Sequence, residues 1–320
     1  MTNRIKIPDT NLSLSQIGLG TAGAGIKWKE AEADRLFDTY LDLGGNVIDT
    51  AHVYSDWIPP EIARSERVVG DWLKRSGKRQ KVVLITKGGH PDMTIAKPDM
   101  HASRMKKEDM VSDLNASLKQ LRTNYIDIYF YHRDDILQPV EQLIDVMQEF
   151  VKEGKIRYYG CSNWTTERMR EADAYVKKMG YRGFAANQAL LNVGSKSMNP
   201  MEDDTLEVAD EEMQQYHKET PVNLLMPYMG VCSGFFHAYT AQGKDAVKDS
   251  PYYTEENLRI AEQLRYLMKK YECTISQAVL GFFTQQEFPC VPLYGPRNTD
   301  QLKDAMGTLE IQFEKSDYML

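Results

Sequence analysis

The chain has 320 residues, of which 42% are hydrophobic and 27% are charged, and its formal net charge is −7. A chain of this size holds either two ordinary domains or one α/β barrel, and its apolar content excludes an intrinsically disordered protein. Nucleic acid is disfavoured as a partner, because phosphate backbones are bound mainly by an excess of Lys and Arg.

The cysteines, the histidines and the hydropathy pattern further restrict the class of protein. The four cysteines form no CxxC pair and the six histidines show no ligand spacing, so we expect no metal site. No apolar run approaches the ~20 residues of a membrane span, so we expect no membrane partner. The sparse cysteines are typical of a reducing compartment, and we expect a cytoplasmic protein.

Short apolar runs alternate with amphipathic stretches along the chain. A hairpin is predicted from residues 4–7 and 12–14. The eight predicted strands that follow are residues 15–17, 46–49, 82–86, 126–131, 158–161, 183–188, 222–226 and 290–291. The predicted helices are residues 31–43, 63–78, 106–121, 140–153, 166–179, 210–219, 256–271 and 299–308. Eight strand–helix units predict a single (β/α)8 TIM barrel domain, residues 1–320, with the hairpin at its floor.

Two predicted connections are long, at residues 90–105 and 229–255. Both follow a strand, so in a barrel both emerge at the C-terminal face and are candidate lids over a ligand. The chain ends soon after the last predicted helix, so we expect no long C-terminal substrate loop and an open pocket.

Residues 18–23 read GLGTAG, which is a literal G-x-G-x-x-G motif after a strand-like run. This pattern is typical of a Rossmann dinucleotide site, with Asp49 as the acidic partner. However, the next helix begins too late for that fold, and Asp49 lies beyond the ~20 residues expected. We therefore favour glycines in a loop at the top of a barrel.

Chemically active side chains close three consecutive predicted strands. Asp49 ends the second strand, Lys87 follows the third, His132 follows the fourth, and Tyr54 lies five residues after Asp49. Each alone has an ordinary structural explanation: a helix cap, a solvated ammonium, a core histidine or a packed phenol. Their order at adjacent strand ends instead indicates one site, because barrel enzymes carry their catalytic residues there.

The four residues suit carbonyl reduction. A Lys ammonium beside a Tyr is expected to lower the pKa of the phenol, and an Asp holds the Lys in its charged form. The His is expected to orient a substrate carbonyl toward the Tyr hydroxyl. A group of this kind protonates the oxygen as hydride reaches the carbonyl carbon, which requires a hydride source such as a nicotinamide.

Several segments resemble the aldo-keto reductase family, and together they cover nearly the whole chain. They are residues 18–21, 44–54, 84–87, 121–132, 154–164 and 187–188. The family's catalytic tetrad then falls on Asp49, Tyr54, Lys87 and His132.

The resemblance implies an NADPH site, with NADH less favoured. Its expected residues are Gly20, Thr21, Asp49, Ser162, Asn163, Gln188, Tyr228, Met229, Gly230, Val231, Gly234, Gly295, Arg297 and Gln301. Residues 162, 163 and 188 would bind the nicotinamide carboxamide, Tyr228 would stack on its ring, and residues 229–234 would contact the pyrophosphate. Arg297 would bind the 2′-phosphate and Gln301 the adenine. Residues 228–231 read YMGV where the family commonly has YSPL, so only backbone contacts to the pyrophosphate are expected there.

The substrate is expected to be a small carbonyl compound, in a pocket bordered by His52, Trp57, His90 and Arg133. Polar groups at its mouth favour a hydroxylated or sugar-like aldehyde or ketone. Two alternatives remain open. In the first, the protein is a non-catalytic NADPH-binding subunit or redox sensor. In the second, it is a Schiff-base aldolase that uses Lys87 as its nucleophile.

Overall fold

The computed structural model describes residues 4–319, and residues 1–3 and 320 of the predicted domain lie outside the described part. The strands are β1 (Arg4–Lys6), β2 (Ser13–Ser15), β3 (Gly18–Gly20), β4 (Val47–Asp49), β5 (Val83–Gly88), β6 (Ile126–Tyr131), β7 (Ile156–Ser162), β8 (Ala186–Gln188), β9 (Leu224–Leu225) and β10 (Leu293–Tyr294). The helices are α1 (Glu30–Asp42), α2 (Arg64–Ser76), α3 (Lys107–Gln120), α4 (Val140–Lys152), α5 (Thr166–Met179), α6 (Glu211–Glu219), α7 (Phe235–Gln242), α8 (Glu255–Lys270), α9 (Ile275–Thr284) and α10 (Thr299–Gly307).

Strands β3 to β10 form one parallel sheet in the order β10-β3-β4-β5-β6-β7-β8-β9. The two ends of this sheet meet, because Leu225 of β9 bridges Cys290 and the Val291 N–H donates to the Leu225 carbonyl at 3.0 Å. Within this sheet, each strand except β9 and β10 is followed by one main helix before the next strand. Strand β9 is followed by α7–α9 and β10 by α10. The predicted (β/α)8 TIM barrel is confirmed.

Strand burial explains why these segments form the barrel. Every residue of β5 and of β6 is buried, as expected for parallel strands covered by helices on the outside and by one another inside. The helices bury one apolar face each; in α1 that face is Ala33, Leu36, Phe37 and Tyr40. Helix ends carry the usual signals, since Thr165 caps α5 and Gly180 ends it at φ 69°.

The N-terminal hairpin covers the floor of the barrel. β1 and β2 pair antiparallel, and Ile7, Leu12 and Leu14 pack in one apolar cluster with interior residues of the barrel strands, such as Val47 and Leu293. The hairpin prediction is therefore confirmed, with strand ends shifted by one residue.

The predicted first barrel strand, residues 15–17, is wrong. Ser15 pairs with Arg4 in the hairpin, and the barrel strand is Gly18–Gly20. The favoured interpretation of Gly18 and Gly20 as loop residues fails for the same reason. A Cβ on Gly18 would lie 2.8 Å from the Leu293 side chain, so the glycine lets β3 and β10 approach closely.

The last strand and two helices also differ from prediction. β10 is Leu293–Tyr294, while residues 290–291 contact β9 just before it. Helix α7 lies inside the long connection 229–255, and α9 was not predicted at all. α9 is apolar on nearly all sides, so it shows no amphipathic stripe, although Thr274 and Gln277 form a capping box at its start.

No helix within residues 4–319 combines the length and the apolar character that crossing a bilayer requires.

Candidate active site

The Lys87 side chain is buried at the C-terminal mouth of the barrel, with 1% of its surface exposed. Its Nζ donates to Asp49 Oδ1 at 2.7 Å, to the Thr50 carbonyl at 2.8 Å and to Tyr54 Oη at 3.0 Å. An ammonium has three N–H donors, so all three are satisfied. Gln188 donates to the second oxygen of Asp49 at 2.7 Å and so joins β8 to this group.

Tyr54 reaches Lys87 because a tight turn follows β4. The Thr50 N–H donates to the Ile85 carbonyl and the His52 N–H to the Lys87 carbonyl, so the turn runs along β5. The Tyr54 N–H then donates to the Ala51 carbonyl at 3.1 Å, which closes the turn. The Tyr54 and His132 rings lie edge to face, with 5.7 Å between centroids. The structure therefore brings the four predicted catalytic residues together.

Among the four catalytic residues, the pKa of Tyr54 differs from the prediction. Burial raises the pKa of Tyr54 above its ordinary value of 10, and the Lys87 ammonium offsets only part of that rise. The expected net lowering of the Tyr54 pKa is therefore wrong for the protein alone. Burial would lower the pKa of Lys87, but Asp49 and Tyr54 raise it, so Lys87 is an ammonium.

The two histidines beside Tyr54 are neutral near pH 7. Burial, with His90, Lys87 and Arg133 nearby, holds the pKa of His132 well below its ordinary value. Burial and Arg133 likewise lower the pKa of His90 to about 4. The Nδ1 atom of His90 lies 2.9 Å from the Pro91 carbonyl, whereas His132 Nδ1 is buried without a hydrogen-bond partner among the described residues.

A cavity of about 440 Å³ opens above this group. Most of the predicted site residues line it: Gly20, Asp49, Tyr54, Trp57, His90, His132, Arg133, Ser162, Asn163, Gln188, Tyr228, Met229 and Gly295. These residues come from the ends of all eight barrel strands or the loops that follow them, and Leu293 of β10 also lines the cavity.

A second cavity of about 660 Å³ adjoins the first, because Lys27 and Gly295 line both. Val231, Gly234, Arg297 and Gln301, which were expected at the cofactor site, line its walls. Its floor includes the N-terminus of α10, where Asn298 caps the helix. The partial positive charge of a helix N-terminus and the Arg297 guanidinium both favour an anionic group there.

The two cavities fit an extended dinucleotide better than a single small molecule. Gly234 has φ 84°, and a Cβ added there would meet no atom within 4 Å, so the backbone is open to a ligand. At the other end, the Tyr228 hydroxyl donates to Asn163 Oδ1 at 2.6 Å, while Asn163 Nδ2 donates to the His132 carbonyl at 3.2 Å. The Asn163 amide is therefore held by hydrogen bonds at the cavity wall, beside the tetrad.

Besides the buried Lys87, three expected residues lie outside both cavities. The Thr21 hydroxyl is buried behind β4, where it donates to the Asp49 carbonyl at 2.8 Å. Gly230 packs against Phe283 and Pro292. His52 points away from the pocket toward Glu66 and Asp113, because its side chain lies on the helix side of the turn.

Several lining residues were missed by sequence reasoning. Lys27, Val53, Met93 and Leu206 contribute to the first cavity without belonging to a recognisable motif. Leu206 comes from residues 189–210, a connection whose length was a usable signal. The same connection supplies Asp203, which accepts a hydrogen bond from Arg133 at 3.0 Å.

No cluster of three or more His, Cys, Asp or Glu side chains in the described part of the chain is arranged to hold a metal ion.

Comparison with known proteins agrees with this geometry. The model of the Aldo/keto reductase family matches residues 16–319. A Bacillus subtilis protein, Aldo-keto reductase YhdN, is 30% identical over 311 residues, which are 93% of this chain and 86% of the relative. An aryl-alcohol dehydrogenase [NADP(+)] from Phanerodontia chrysosporium is 25% identical over 95% of this chain and 80% of its own length. Norsolorinic acid reductase A from Aspergillus parasiticus is 24% identical over 98% and 79%.

The buried ion pair of Lys87 and Asp49 should contribute to the stability of the fold. Replacing Lys87 by Met leaves the Asp49 carboxylate buried without a cation, so we expect the free energy of unfolding to fall by about 3–5 kcal/mol. The double variant Asp49→Asn, Lys87→Met removes both charges and should recover part of that loss. Guanidinium unfolding measures both. A double variant no more stable than Lys87→Met would contradict this account.

Proposed function

The chain belongs to the aldo/keto reductase family, and from that premise we propose that it reduces an aldehyde or ketone to the alcohol, with NADPH as the cofactor and Tyr54 as the proton donor. The observation that carries this proposal is the contact of the Tyr54 hydroxyl with a fully buried ammonium, Lys87 Nζ, at 3.0 Å. That contact lies at the base of a cavity large enough for a small carbonyl compound.

Each residue of the tetrad has a distinct task. Lys87 donates to Tyr54 Oη, which leaves the phenol's own hydrogen free to point into the cavity. As that proton moves to the substrate oxygen, the ammonium stabilises the negative charge that develops on Tyr54. The Asp49 carboxylate keeps Lys87 charged and in place. Because the pKa of Tyr54 is raised, the phenol is protonated at neutral pH, as a proton donor must be.

His132 supports the same reaction as a neutral group. Its low pKa removes a positive charge that would compete with Lys87, while a neutral imidazole still provides one N–H donor. Its ring lies edge to face with Tyr54, so a carbonyl oxygen bound between the two would be within reach of both donors.

A bound nicotinamide supplies hydride to the carbonyl carbon. We assign Ser162, Asn163 and Gln188 to its carboxamide and the Tyr228 ring to its face, since all four line the first cavity. The backbone of residues 229–234 would hold the pyrophosphate. Arg297 and Gln301, in the second cavity, would hold the 2′-phosphate and the adenine. The single guanidinium at the N-terminus of α10 supports NADPH over NADH, since Arg suits a phosphate.

The substrate end of the cavity favours an uncharged aromatic carbonyl over the sugar-like compound expected from the sequence. The Arg133 guanidinium is already engaged, because it donates to Asp203, Thr205 and the His132 carbonyl. The remaining wall is apolar and comes from Val53, Trp57, Met93 and Leu206. The name of one relative, aryl-alcohol dehydrogenase, refers to an aromatic substrate, which supports this class.

The first test of the proposal is Tyr54→Phe. Without the proton donor, turnover of NADPH and an aldehyde should fall about 10²–10⁴-fold, while NADPH binding stays unchanged. Tyr158→Phe, at the opposite end of the barrel beside Asn11, is the matched control and should keep full turnover. Full activity of Tyr54→Phe would refute the mechanism. Binding of NADPH without turnover of any carbonyl by the wild type would favour the non-catalytic subunit instead.

A second test addresses the cofactor. Arg297→Ala removes a charge-assisted contact, so the Kd for NADPH should rise about 10–100-fold while the Kd for NADH stays constant. Lys303→Ala removes the same charge from an exposed position on α10 and should change neither. Quenching of tryptophan fluorescence measures the Kd for NADPH and the Kd for NADH in the wild type and in each variant. Equal weakening of NADPH and NADH by Arg297→Ala would contradict the assignment.

A third test addresses the substrate class. Wild-type kcat/KM should be at least about tenfold higher for benzaldehyde than for glyceraldehyde, because the aromatic ring buries apolar surface against the wall. Trp57→Ala should raise KM for benzaldehyde and leave KM for glyceraldehyde unchanged. A preference of the wild type for glyceraldehyde would contradict the aromatic substrate class and favour a sugar-like substrate.

A further inference from the structure

Three ionisable side chains from three elements meet behind the tetrad, on the helix side of β5. His52, in the turn before Tyr54, has its Nδ1 3.8 Å from Glu66 Oε2 and its Nε2 3.7 Å from Asp113 Oδ1. Glu66 belongs to α2 and Asp113 to α3, and both carboxylates are buried. We call these three residues the His52 cluster. Neither cavity of the active site includes them.

The two carboxylates of the His52 cluster are not equally compensated. Asp113 accepts a hydrogen bond from the Arg104 guanidinium at 2.6 Å and from the Gly89 N–H at 2.9 Å. Glu66 accepts only from the Thr86 hydroxyl, and its Oε2 has no hydrogen-bond partner among the described residues. A buried carboxylate without a cation is costly, so the imidazolium form of His52 is the group placed to balance Glu66.

Other charged or titratable groups reinforce this balance. Asp56, from the same turn, adds a third carboxylate near His52. Tyr129 of β6 faces the two carboxylates of the cluster as a neutral phenol. Burial favours the neutral imidazole, but Glu66, Asp113 and Asp56 outweigh it and raise the pKa of His52 above its ordinary value of 6.5.

The cluster is connected to the catalytic tyrosine through the backbone. The His52 N–H donates to the Lys87 carbonyl at 3.0 Å, and Tyr54 lies two residues further along the same turn. The His52 side chain, which contacts α2 and α3, is therefore placed to help hold this turn against β5. A shift of about 1 Å in a reacting group is enough to lower a rate by ~10²-fold.

We propose that protonated His52 is a positioning residue for Tyr54. Paired with Glu66 and Asp113, it anchors the turn so that the Tyr54 hydroxyl stays on Lys87, and loss of its proton releases that anchor. This inference rests on the proposed reduction with Tyr54 as the proton donor.

The test compares pH profiles of kcat for benzaldehyde reduction at saturating NADPH. Wild-type kcat should fall as pH rises through the pKa of His52, above 6.5 and separate from the higher pKa of Tyr54. His52→Gln should lower kcat about 10–100-fold at pH 6, leave the Kd for NADPH unchanged and lose that alkaline limb. His101→Gln removes a histidine from an exposed pair with Asp204 and should retain the wild-type profile.

A variant that stays charged distinguishes the effect of the charge at residue 52 from the effect of the side chain's shape. His52→Lys places an ammonium beside Glu66 that remains charged to a higher pH. The kcat of His52→Lys at pH 8 should be higher than that of His52→Gln. It should not fall as pH rises through the range in which histidine titrates. Equal kcat for the Lys and Gln variants across the pH range would overturn the role of the charge.

Stability gives a readout that does not depend on turnover. A histidine whose pKa is raised by folding contributes stability that is complete below about pH 6.5 and is lost as pH rises through its folded pKa. The difference in unfolding free energy between wild type and His52→Gln should therefore shrink from pH 5.5 to pH 9. A difference that is constant over this range would overturn the charged pair.

The outcomes distinguish this inference from the proposed function. Normal wild-type turnover with an unchanged profile in His52→Gln refutes the positioning role and leaves the reductase intact. A wild type that reduces no carbonyl refutes the reductase and the positioning role together, even where the stability difference varies with pH.

Discussion

The site depends on the burial of one ammonium group, that of Lys87. An ammonium taken out of water must have an opposite charge and an acceptor for each of its three N–H groups, or its burial costs several kcal/mol. Here the acceptors are the Asp49 carboxylate, the Thr50 carbonyl and the Tyr54 hydroxyl. Meeting this requirement aligns β4 with β5 and draws the turn after β4 across the barrel mouth. Gln188, on the far side, completes the coordination of Asp49.

The parallel barrel makes this arrangement possible. All eight strands end at the same face, so side chains far apart in the sequence converge there, while the helices outside exclude water from the strands. The same face divides into two chemical regions. Around the tetrad the histidines are neutral and Arg133 is engaged, which leaves an apolar wall. Beyond Gly295 lies the N-terminus of α10, with Arg297 at hand for an anion.

Charged groups lie on both faces of strand β5. Lys87 points into the barrel, while the neighbouring Thr86 points outward to Glu66 under α2. Because successive side chains of a strand alternate, one short segment supports both the tetrad and the His52 cluster. The backbone of the turn links them, since His52 donates to the Lys87 carbonyl. A single strand therefore separates the charges of the helix layer from those of the barrel interior.

The sequence by itself determined the barrel class, the floor hairpin and the positions of the tetrad, because alternating strand and helix periods and strand-end residues are local signals. The sequence-based prediction misplaced the first barrel strand, where the close approach of Leu293 requires a glycine at residue 18. It also missed α9, because a helix that is apolar on nearly all sides shows no amphipathic stripe. The direction of His52, the net pKa of Tyr54 and the walls formed by Leu206 were decided only by tertiary structure. Burial and the sum of charges around a group depend on which distant segments pack against it, and no local pattern contains that information.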